Sequence, residues 1–414
     1  MMAGNWAGTY EYRAPRHIVV SDEDELRAAL AGTGPVHALG TRHSFTDLPD
    51  TTGTLIEMAA FDRPITIDEA SRTVRVTAGT RYGVLAAQLH TAGWALHNTG
   101  SLPHISVGGA TSTGTHGSGD GNGVLSSAVA GIRFLDAAGE AHEVRRGDAD
   151  FEALVVGVGA FGILTELTLD IQPTYLVRQD LYAGVTWDTL LGDIDAVTSA
   201  GDSVSVFTRW GEDLGWVWVK RRAMDAEATA PEELLGGRLS ATLEPLGLGD
   251  NVTVIGAAGP WYERLPHFRA DAEPSRGDEI QSEYFIDRAD AAAALRAVRE
   301  VVGPYTEHLI WTELRTAASD DLWLSGAYQR DAFIIHFTWE NHPDEVTEAL
   351  TLIEPVLAPF HARPHWGKRH LMERAQIERV SPRLADARAV FERLDPTGRF
   401  VNEHLVRVGL REAR

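Results

Sequence analysis

The chain has 414 residues with 44% hydrophobic content, which is enough for a substantial core and, by length, suggests two or three domains. Its net charge of −22 repels the phosphates of nucleic acids and the anionic surfaces of membranes, so we expect neither as a partner. The sequence contains no cysteine, which excludes disulfides, thiol nucleophiles and zinc sites built on cysteine.

The N-terminal part of the chain alternates short strand-like runs with helical ones. It starts without a basic segment and apolar core of signal-peptide length, and no later window is apolar enough to span a membrane, so we expect a cytoplasmic protein. The segment SDEDELRAALAG predicts a helix with Ser21 as its N-cap and Gly32 as its stop. VHAL predicts a strand, and RTVRVTAGTRYGVLAAQLH predicts a strand and then a helix with Leu85 and Leu89 on one face. These alternations indicate an α+β fold.

A histidine, His43, lies in the loop GTRHSFTDL, directly after the strand predicted for VHAL. A lone histidine in such a loop is most often a surface or half-buried side chain that hydrogen-bonds the neighbouring backbone. Any more specific role has to come from the rest of the sequence.

Residues 98–123, NTGSLPHISVGGATSTGTHGSGDGNG, are dense in glycine and hydroxyl residues. Glycine loses more backbone freedom on ordering than other residues, so this stretch suits neither a strand nor a helix interior and is either disordered or held by a ligand. Its low charge and its apolar residues Leu102, Ile105 and Val107 argue against disorder. We favour a ligand with many acceptors, such as a pyrophosphate, lying along exposed backbone N–H groups.

The segment GVGAFG at residues 157–162 fits the dinucleotide pattern G-x-G-x-x-G letter for letter. That pattern requires a helix after its glycines, whereas ILTELTLDI follows here and predicts a strand. We therefore reject a nicotinamide site, although the glycines can still let the backbone pass close to a flat ring or a phosphate.

Two apolar segments in the second half carry paired polar residues. Glu313 and Arg315 in LIWTELRTAA are two residues apart, so a strand directs both to one face. His336 and Thr338 in FIIHFTWE follow the same pattern. Polar side chains on apolar strands are costly unless they pair with each other or meet a ligand, so a structural ion pair and a binding site are both open at this point.

Five separated segments together resemble one family. GTRHSF, GSLPHISVGGATSTGTHGSG and GVGAFGILTELTL are similar to the FAD domain of the vanillyl-alcohol oxidase type flavoproteins, and HWGKRH and LDPTGRFVNEHL resemble the closing motifs of its sugar-alcohol and aldonolactone oxidases. The resemblance runs over nearly the whole chain and is weakest over residues 176–280. It implies an α+β, two-domain vanillyl-alcohol-oxidase-type fold. Its parts would be a FAD-binding domain of the PCMH type at 1–172, a substrate (cap) domain with an antiparallel sheet and helices at 173–375, and a C-terminal segment at 376–414 that returns to the FAD domain.

The same resemblance implies FAD as the cofactor, attached covalently through His43 at the 8α-methyl carbon of the flavin. The chemistry suits an imidazole, because its neutral ring nitrogen is a nucleophile near neutral pH. Arg42 stands where relatives often have a small residue, and its role stays open. The other residues that the resemblance assigns to the cofactor site are Gly40, Thr41, Arg42, Ser44, Ser101, Ser106, Gly108, Gly109, Thr113, Gly114, His116, Gly117, Gly159, Gly162 and Ile163.

Matching positions of the family also imply a polyol site. The carboxylate, guanidinium, ammonium, imidazole and hydroxyl groups at these positions can donate hydrogen bonds to, and accept them from, a row of substrate hydroxyls. Arg315 and Lys368 would favour a developing alkoxide, and Lys368 or His336 would accept the hydroxyl proton. We assign Glu313 to binding an inner hydroxyl and to holding Arg315. The expected substrate-binding residues are Ser101, Glu313, Arg315, His336, Thr338 and Lys368.

The predicted reaction is the FAD-dependent oxidation of the terminal primary hydroxyl of a sugar alcohol, such as xylitol or sorbitol, to the aldose, with O2 reduced to hydrogen peroxide. Gly100, which precedes Ser101, would leave the path of oxygen open. The nearest alternative is an aldonolactone oxidase that acts on a gulonolactone-like ring. We expect a small-molecule polyol and O2 as partners, a monomer, and no metal.

Two other classes of protein remain as alternatives. A metal-dependent hydrolase could use His97, His104 and His116, although their spacing matches no zinc motif. A non-enzymatic polyol-binding protein would be colourless on purification.

Overall fold

The computed structural model describes residues 4–61, 63–242, 251–272 and 277–413. Short 3-10 turns occur beside the regular elements. The helices are α1 (Glu23–Leu30), α2 (Tyr82–Thr91), α3 (Val107–Ser112), α4 (Phe151–Leu154), α5 (Trp187–Gly192), α6 (Ile194–Thr198), α7 (Trp261–Arg264), α8 (Ala291–Val302), α9 (Pro343–Leu357), α10 (Arg374–Val380), α11 (Leu384–Leu394) and α12 (Glu403–Arg407).

The strands alternate with these helices along the chain. They are β1 (Arg16–Val19), β2 (Val36–Leu39), β3 (Thr54–Glu57), β4 (Thr66–Asp68), β5 (Thr73–Thr77), β6 (Trp94–Ala95), β7 (Val129–Leu135), β8 (Ala141–Arg145), β9 (Ile163–Asp170), β10 (Gln172–Pro173), β11 (Leu176–Ala183), β12 (Ser203–Thr208), β13 (Trp216–Ala223), β14 (Glu233–Leu234), β15 (Gly237–Ser240), β16 (Ala258–Pro260), β17 (Glu279–Asp287), β18 (Leu309–Ala317), β19 (Ala332–Glu340) and β20 (Arg363–Pro364).

The predicted α+β texture of the N-terminal part is confirmed. VHAL forms β2, and the next predicted pair forms β5 and α2, whose Leu85 and Leu89 are buried. The N-cap prediction for α1 was wrong by one residue: the side chain of Asp22 accepts from the Glu25 N–H, and Ser21 instead donates to the Glu25 carboxylate. An aspartate caps at least as well as a serine, which explains the shift.

Two sheets organise the N-terminal part. The first has the order β1-β3-β2 and is parallel, and the second has the order β4-β5-β9-β7-β8 and is antiparallel. The strand β9 follows GVGAFG directly, as predicted, so this segment does not open a helix. Part of the glycine-rich stretch does form a helix, α3, contrary to the expectation from its composition. Glycine is needed there because a Cβ on Gly108 would lie 2.8 Å from Ala78 Cβ.

A ten-stranded sheet occupies the second half, with the order β14-β15-β11-β13-β12-β18-β19-β17-β20 and β16 paired to β11. The strands β18, β19 and β17 are antiparallel neighbours, and their register places Glu313 and Glu283 on either side of His336. The alternate side chains Leu314, Ile335 and Phe337 belong to a core that also contains residues of α8 and α9. This sheet therefore has an apolar face under helices and a polar strip on its other face.

The C-terminal segment contacts the N-terminal part. The side chain of Asn402 donates to the carbonyls of Leu48 and Asp50 at 2.8 and 2.9 Å, and His404 Nδ1 lies 2.8 Å from Asp47 Oδ1. Contacts also come from the loop before α10, where the Gly367 carbonyl accepts from the Phe45 N–H at 2.8 Å. We propose domain limits at residues 172 and 375. The first strand of the large sheet begins at Leu176.

None of the helices in the described ranges is both long and apolar enough to cross a membrane.

Candidate active site

A cavity with a volume of about 250 Å³ lies between loops of the N-terminal part and the polar strip of the large sheet. Most of the predicted site residues contribute to its wall. These are Gly40, Thr41, Arg42, His43, Ser44, Ser101, Ser106, Gly108, Gly109, Thr113, His116, Gly159, Gly162, Glu313, Arg315, His336, Thr338 and Lys368.

Three predicted cofactor residues are not among the lining residues that the structure describes: Gly114, Gly117 and Ile163. Gly117 packs against the backbone instead, because a Cβ there would lie 2.3 Å from the Thr99 carbonyl oxygen. Ile163 is buried in the core that also contains Leu135.

Gly100 lies next to the cavity wall, and its role in oxygen access stays a prediction. It does not line the cavity in the described structure, and a Cβ there would meet Ile105 and Thr115 side-chain atoms at 3.6 Å. Both of these residues do line the cavity, so any effect of Gly100 on oxygen access would act through them.

The loop of His43 is shaped by backbone geometry. Arg42 adopts a left-handed conformation with φ +64, and its carbonyl accepts from the Trp6 N–H at 2.8 Å. The Trp6 and His43 rings stack with their centroids 5.1 Å apart. The role of Arg42, open from sequence, is thus conformational: its turn places the His43 ring against Trp6 in the wall of the cavity.

The His43 ring has one nitrogen available. Nδ1 lies 3.2 Å from Thr41 Oγ1, whereas the buried Nε2 has no hydrogen-bond partner among the described residues. Burial lowers the pKa of His43 to about 4, so the ring is neutral near pH 7. An unpaired polar nitrogen in a buried wall is costly unless a ligand completes it, and a neutral imidazole fits attachment of a flavin.

The glycines of the wall also fit FAD, because they bring backbone close to the cavity where a side chain has no room. A Cβ on Gly40 would lie 2.8 Å from Ser106 Oγ. Gly159 has φ +74, and a Cβ there would lie 2.5 Å from His37 Cε1. Exposed backbone N–H groups at such positions suit the pyrophosphate of a dinucleotide.

We expect Gly159→Ala to lower the free energy of unfolding by about 1–3 kcal/mol and to weaken FAD retention. The backbone at this residue is left-handed, which disfavours alanine, and the new methyl group would also clash with His37. Urea denaturation and the flavin-to-protein absorbance ratio measure the two effects. Gly147→Ala is the matched control, since Gly147 has φ +93 and no atom within 4 Å of a Cβ. Equal losses in the two variants would contradict the role of the His37 contact.

The centre of the polar strip is Glu283, which the sequence did not single out. Its Oε1 accepts from His116 Nε2 at 2.9 Å, and its Oε2 accepts from Arg315 Nη2 at 2.9 Å and from Lys368 Nζ at 3.0 Å. His336 Nδ1 lies 2.8 Å from the same Oε2 and 2.7 Å from Lys368 Nζ. The Glu283 side chain is 0% exposed, so it is the buried counter-ion of the cations in this cavity.

The charged groups of this cluster shift one another's pKa values. Burial alone would raise the pKa of Glu283, but the neighbouring Lys368 and His116 hold it well below its usual range. Burial lowers the pKa of Lys368, opposed in part by Glu283, and burial together with Lys368 lowers the pKa of His336 to about 4. The carboxylate is therefore ionised and His336 is neutral near pH 7, which leaves Lys368 as the group of the three with an adjustable proton.

The predicted substrate residues do come together on this face. Arg315 Nη1 donates to Ser101 Oγ at 3.3 Å, and His336 Nε2 lies 2.9 Å from Thr338 Oγ1. The expectation that Glu313 holds Arg315 differs from the structure in one respect: the Arg315 Nε to Glu313 Oε1 distance is 3.6 Å, and the closer partner of Arg315 is Glu283. Glu313 Oε1 instead accepts from His267 Nε2 at 2.7 Å.

Of the two site residues that sequence reasoning missed, one could have been suspected and one could not. Glu283 is an acid inside the apolar run of β17, the same signal that identified Glu313. His267 follows proline in a loop and carries no comparable signal. Among the described residues, no group of three or more histidine, aspartate or glutamate side chains could hold a metal ion.

The sequence matches two protein families and is similar to several known proteins. Residues 16–145 match the family described as FAD binding domain, and residues 276–408 match the family described as D-arabinono-1,4-lactone oxidase. The chain is 39% identical to an alditol oxidase of Streptomyces sp. over 97% of each chain, and 29% identical to an L-gulono-1,4-lactone dehydrogenase of Mycobacterium tuberculosis over 98% of each. It is 25% identical to the L-gulonolactone oxidase of Mus musculus, over 98% of this chain and 97% of the relative.

Solved structures support the fold. A solvent-stable cholesterol oxidase superposes with a TM-score of 0.80 at 15% identity, over 98% of this chain and 97% of that one. The cholesterol oxidase of B. sterolicum superposes with a TM-score of 0.76 at 15% identity, over 98% and 96%. At this identity the likeness concerns the fold alone, which is of the two-domain vanillyl-alcohol oxidase type, as predicted.

Fold and sequence likeness together define a FAD-dependent oxidoreductase of the vanillyl-alcohol oxidase type. Within that class, the chain belongs to the family of the alditol and aldonolactone oxidases.

Proposed function

We propose that the protein oxidises the terminal primary hydroxyl of a sugar alcohol, such as xylitol or sorbitol, to the aldose, with O2 reduced to hydrogen peroxide. The observation that carries the proposal is one shared cavity, in which the unpaired His43 nitrogen and the strip of Arg315, Lys368 and Glu313 line the same space. The identity to an alditol oxidase over nearly the full length supports the choice of a polyol.

The polar strip suits a neutral, linear substrate with several hydroxyls. Arg315 and Lys368 supply donors, Glu313 supplies an acceptor, and Ser101 and Thr338 can act as both. A site built to pair with hydroxyls also rejects analogues that lack them, because its own buried groups would then stay unpaired. The pattern along the strip therefore favours a polyol over an apolar alcohol.

FAD, when bound, supplies the acceptor for the hydride that leaves the terminal carbon. Arg315 is positive and can stabilise an alkoxide at the reacting oxygen, and Lys368, which lies beside it across Glu283, becomes positive once it has accepted the hydroxyl proton. We assign the proton acceptor to Lys368 rather than His336, since both ring nitrogens of His336 already have side-chain partners.

We propose that the flavin is joined covalently to His43. In an acid-precipitated sample on a denaturing gel, the wild-type band should fluoresce, and the band of His43→Ala should not, because the variant lacks the nucleophilic nitrogen. The matched control is His37→Ala, which removes another buried cavity histidine whose Nε2 is also unpartnered in the described structure. Fluorescence that persists in His43→Ala would contradict the tether, and flavin only in the supernatant would indicate noncovalent FAD.

The experiment for the reaction is a substrate screen with peroxide detection, in which xylitol, sorbitol and gulonolactone are compared at equal concentration. Peroxide formed preferentially with the polyols supports the proposal. Preference for the lactone would favour the second candidate, an aldonolactone oxidase, to which the match over residues 276–408 points. A colourless protein without turnover would leave only polyol binding, and loss of turnover with a chelator would indicate metal-dependent chemistry.

We also propose a cytoplasmic location and a monomeric state. Cell fractionation and sedimentation analysis test these two properties directly, and neither bears on the assignment of the reaction.

A further inference from the structure

Behind Glu313, a row of buried, hydrogen-bonded side chains leads away from the cavity. Lys220, on β13, is 1% exposed, and its Nζ lies 3.1 Å from His267 Nδ1. The other ring nitrogen of His267 lies 2.7 Å from Glu313 Oε1. The indole of Trp218 stacks on the His267 ring at 4.7 Å, and Lys220 Nζ lies over the same indole at 4.6 Å. Three titratable groups are thus held in line between the core and the substrate cavity.

The hydrogen-bond donors and acceptors of Lys220, His267 and Glu313 permit one arrangement of their protons. An ammonium has three N–H donors and no acceptor, so Lys220 donates to His267 Nδ1 and to the carbonyl of Leu265. His267 must then carry its proton on Nε2, which donates to Glu313 Oε1. Glu313 is therefore kept as an acceptor, with Oε1 occupied, while the residue lines the cavity with its remaining oxygen available.

The same loop also fixes a second residue of the site. The backbone N–H groups of His267 and Phe268 donate to the Ser101 carbonyl at 3.1 and 3.2 Å. Because Lys220 anchors this loop through Leu265 and His267, its position bears on both Ser101 and Glu313. A buried lysine with no contact to the cavity thus reaches two of the six predicted substrate residues.

We propose that Lys220 is a positioning residue for substrate recognition, which acts through His267 to fix the tautomer of that ring and to present Glu313 as the acceptor for an inner hydroxyl of the polyol. This inference rests on the proposed function for its substrate, whereas the link from Lys220 to His267 does not. Burial lowers the pKa of Lys220 to about 7, opposed by Glu313, so the charge on this lysine is sensitive to its surroundings.

The first test concerns the histidine ring. In wild-type holoenzyme with 15N-labelled histidine, we expect the His267 resonances, assigned by their loss in His267→Gln, to show a proton on Nε2 alone. In Lys220→Met the cation that opposes protonation of Nδ1 is lost while Glu313 still accepts from Nε2, so we expect the ring to gain a second proton, on Nδ1, at a higher pH than in wild type. An unchanged His267 ring in Lys220→Met would overturn the proposal, whatever the enzyme oxidises.

The second test separates recognition from chemistry. In Lys220→Met we expect KM for xylitol to rise about tenfold with kcat within about twofold, since a hydrogen bond to a charged group is weakened. For 1,5-pentanediol, which has no inner hydroxyl, kcat/KM should stay unchanged relative to wild type. Equal losses on both substrates would overturn the role in recognition. A wild-type enzyme that oxidises no polyol would instead refute the proposed function, and the ring test would still decide the link from Lys220 to His267.

A control separates recognition from packing. Tyr182→Phe removes the hydroxyl of a buried side chain on the neighbouring strand, which donates to the Pro231 carbonyl at 3.0 Å. It should leave KM for xylitol unchanged, and a matching rise would contradict the proposal. If Lys220→Met does not fold, His267→Gln and His267→Leu replace it. The glutamine keeps a donor for Glu313 and should give the smaller rise in KM, and the reverse order would overturn the proposal.

Discussion

Glu283→Gln is expected to lower kcat/KM for the polyol by about two to three orders of magnitude, because it removes the buried charge that balances Arg315 and Lys368. An amide also presents N–H groups to neighbours that are themselves donors, so the guanidinium and the ammonium should separate from this position. Steady-state peroxide formation with xylitol measures the loss, and circular dichroism checks that the variant is folded.

Glu354→Gln is the matched control for this substitution. Glu354 is a partly buried carboxylate that accepts from Tyr284, the next residue of β17, at 2.7 Å and from the Leu371 N–H at 2.7 Å, but it does not line the cavity. We expect its kcat/KM to stay within about threefold of wild type, as for substitutions away from a site. Activity near the wild-type level in Glu283→Gln would show that the cations of the cavity do not need this counter-ion.

Lys368→Met is expected to lower kcat by about two to four orders of magnitude, the range for loss of a general base. The pH profile gives a second signature. A base acts in its deprotonated form, so wild-type kcat/KM should rise with pH as Lys368 loses its proton. Because burial lowers the pKa of Lys368, that rise should lie below the ordinary lysine value of 10.5.

In Lys368→Met this rising limb should disappear. Arg369→Met is the control, since Arg369 is the adjacent cation and donates to Thr347 Oγ1 outside the cavity. Arg369→Met should retain the wild-type kcat and the wild-type pH profile. A rising limb that persists in Lys368→Met would assign the proton acceptor to His336 instead.

Local patterns were enough to predict much of the fold. The period-2 rule placed Glu313 and Arg315 on one face of β18, and both line the cavity. The strand predicted directly after GVGAFG is present as β9. These predictions succeeded because each depends on residues a few positions apart, where backbone geometry alone decides which side chains are neighbours.

The parts that could not be predicted depend on strand order. Glu283 meets Arg315 and Lys368 only because β17 lies beside β19 in the ten-stranded sheet, which the chain order does not reveal. Lys220 and His267 are 47 positions apart and meet through a loop. The covalent role proposed for His43 came from the family resemblance, and its unpaired ring nitrogen is visible only once the loop is folded.

The contacts around the His43 loop have a consequence for the order of folding. The carbonyl of Gly367 accepts from the Phe45 N–H, and Asp47 pairs with His404, so the loop that carries His43 is completed by segments synthesised long after it. Such distant contacts close late, because the entropy of the intervening chain must be lost first. On the ribosome, the nascent N-terminal part therefore cannot complete its own flavin site, and cofactor capture has to wait for a nearly full-length chain.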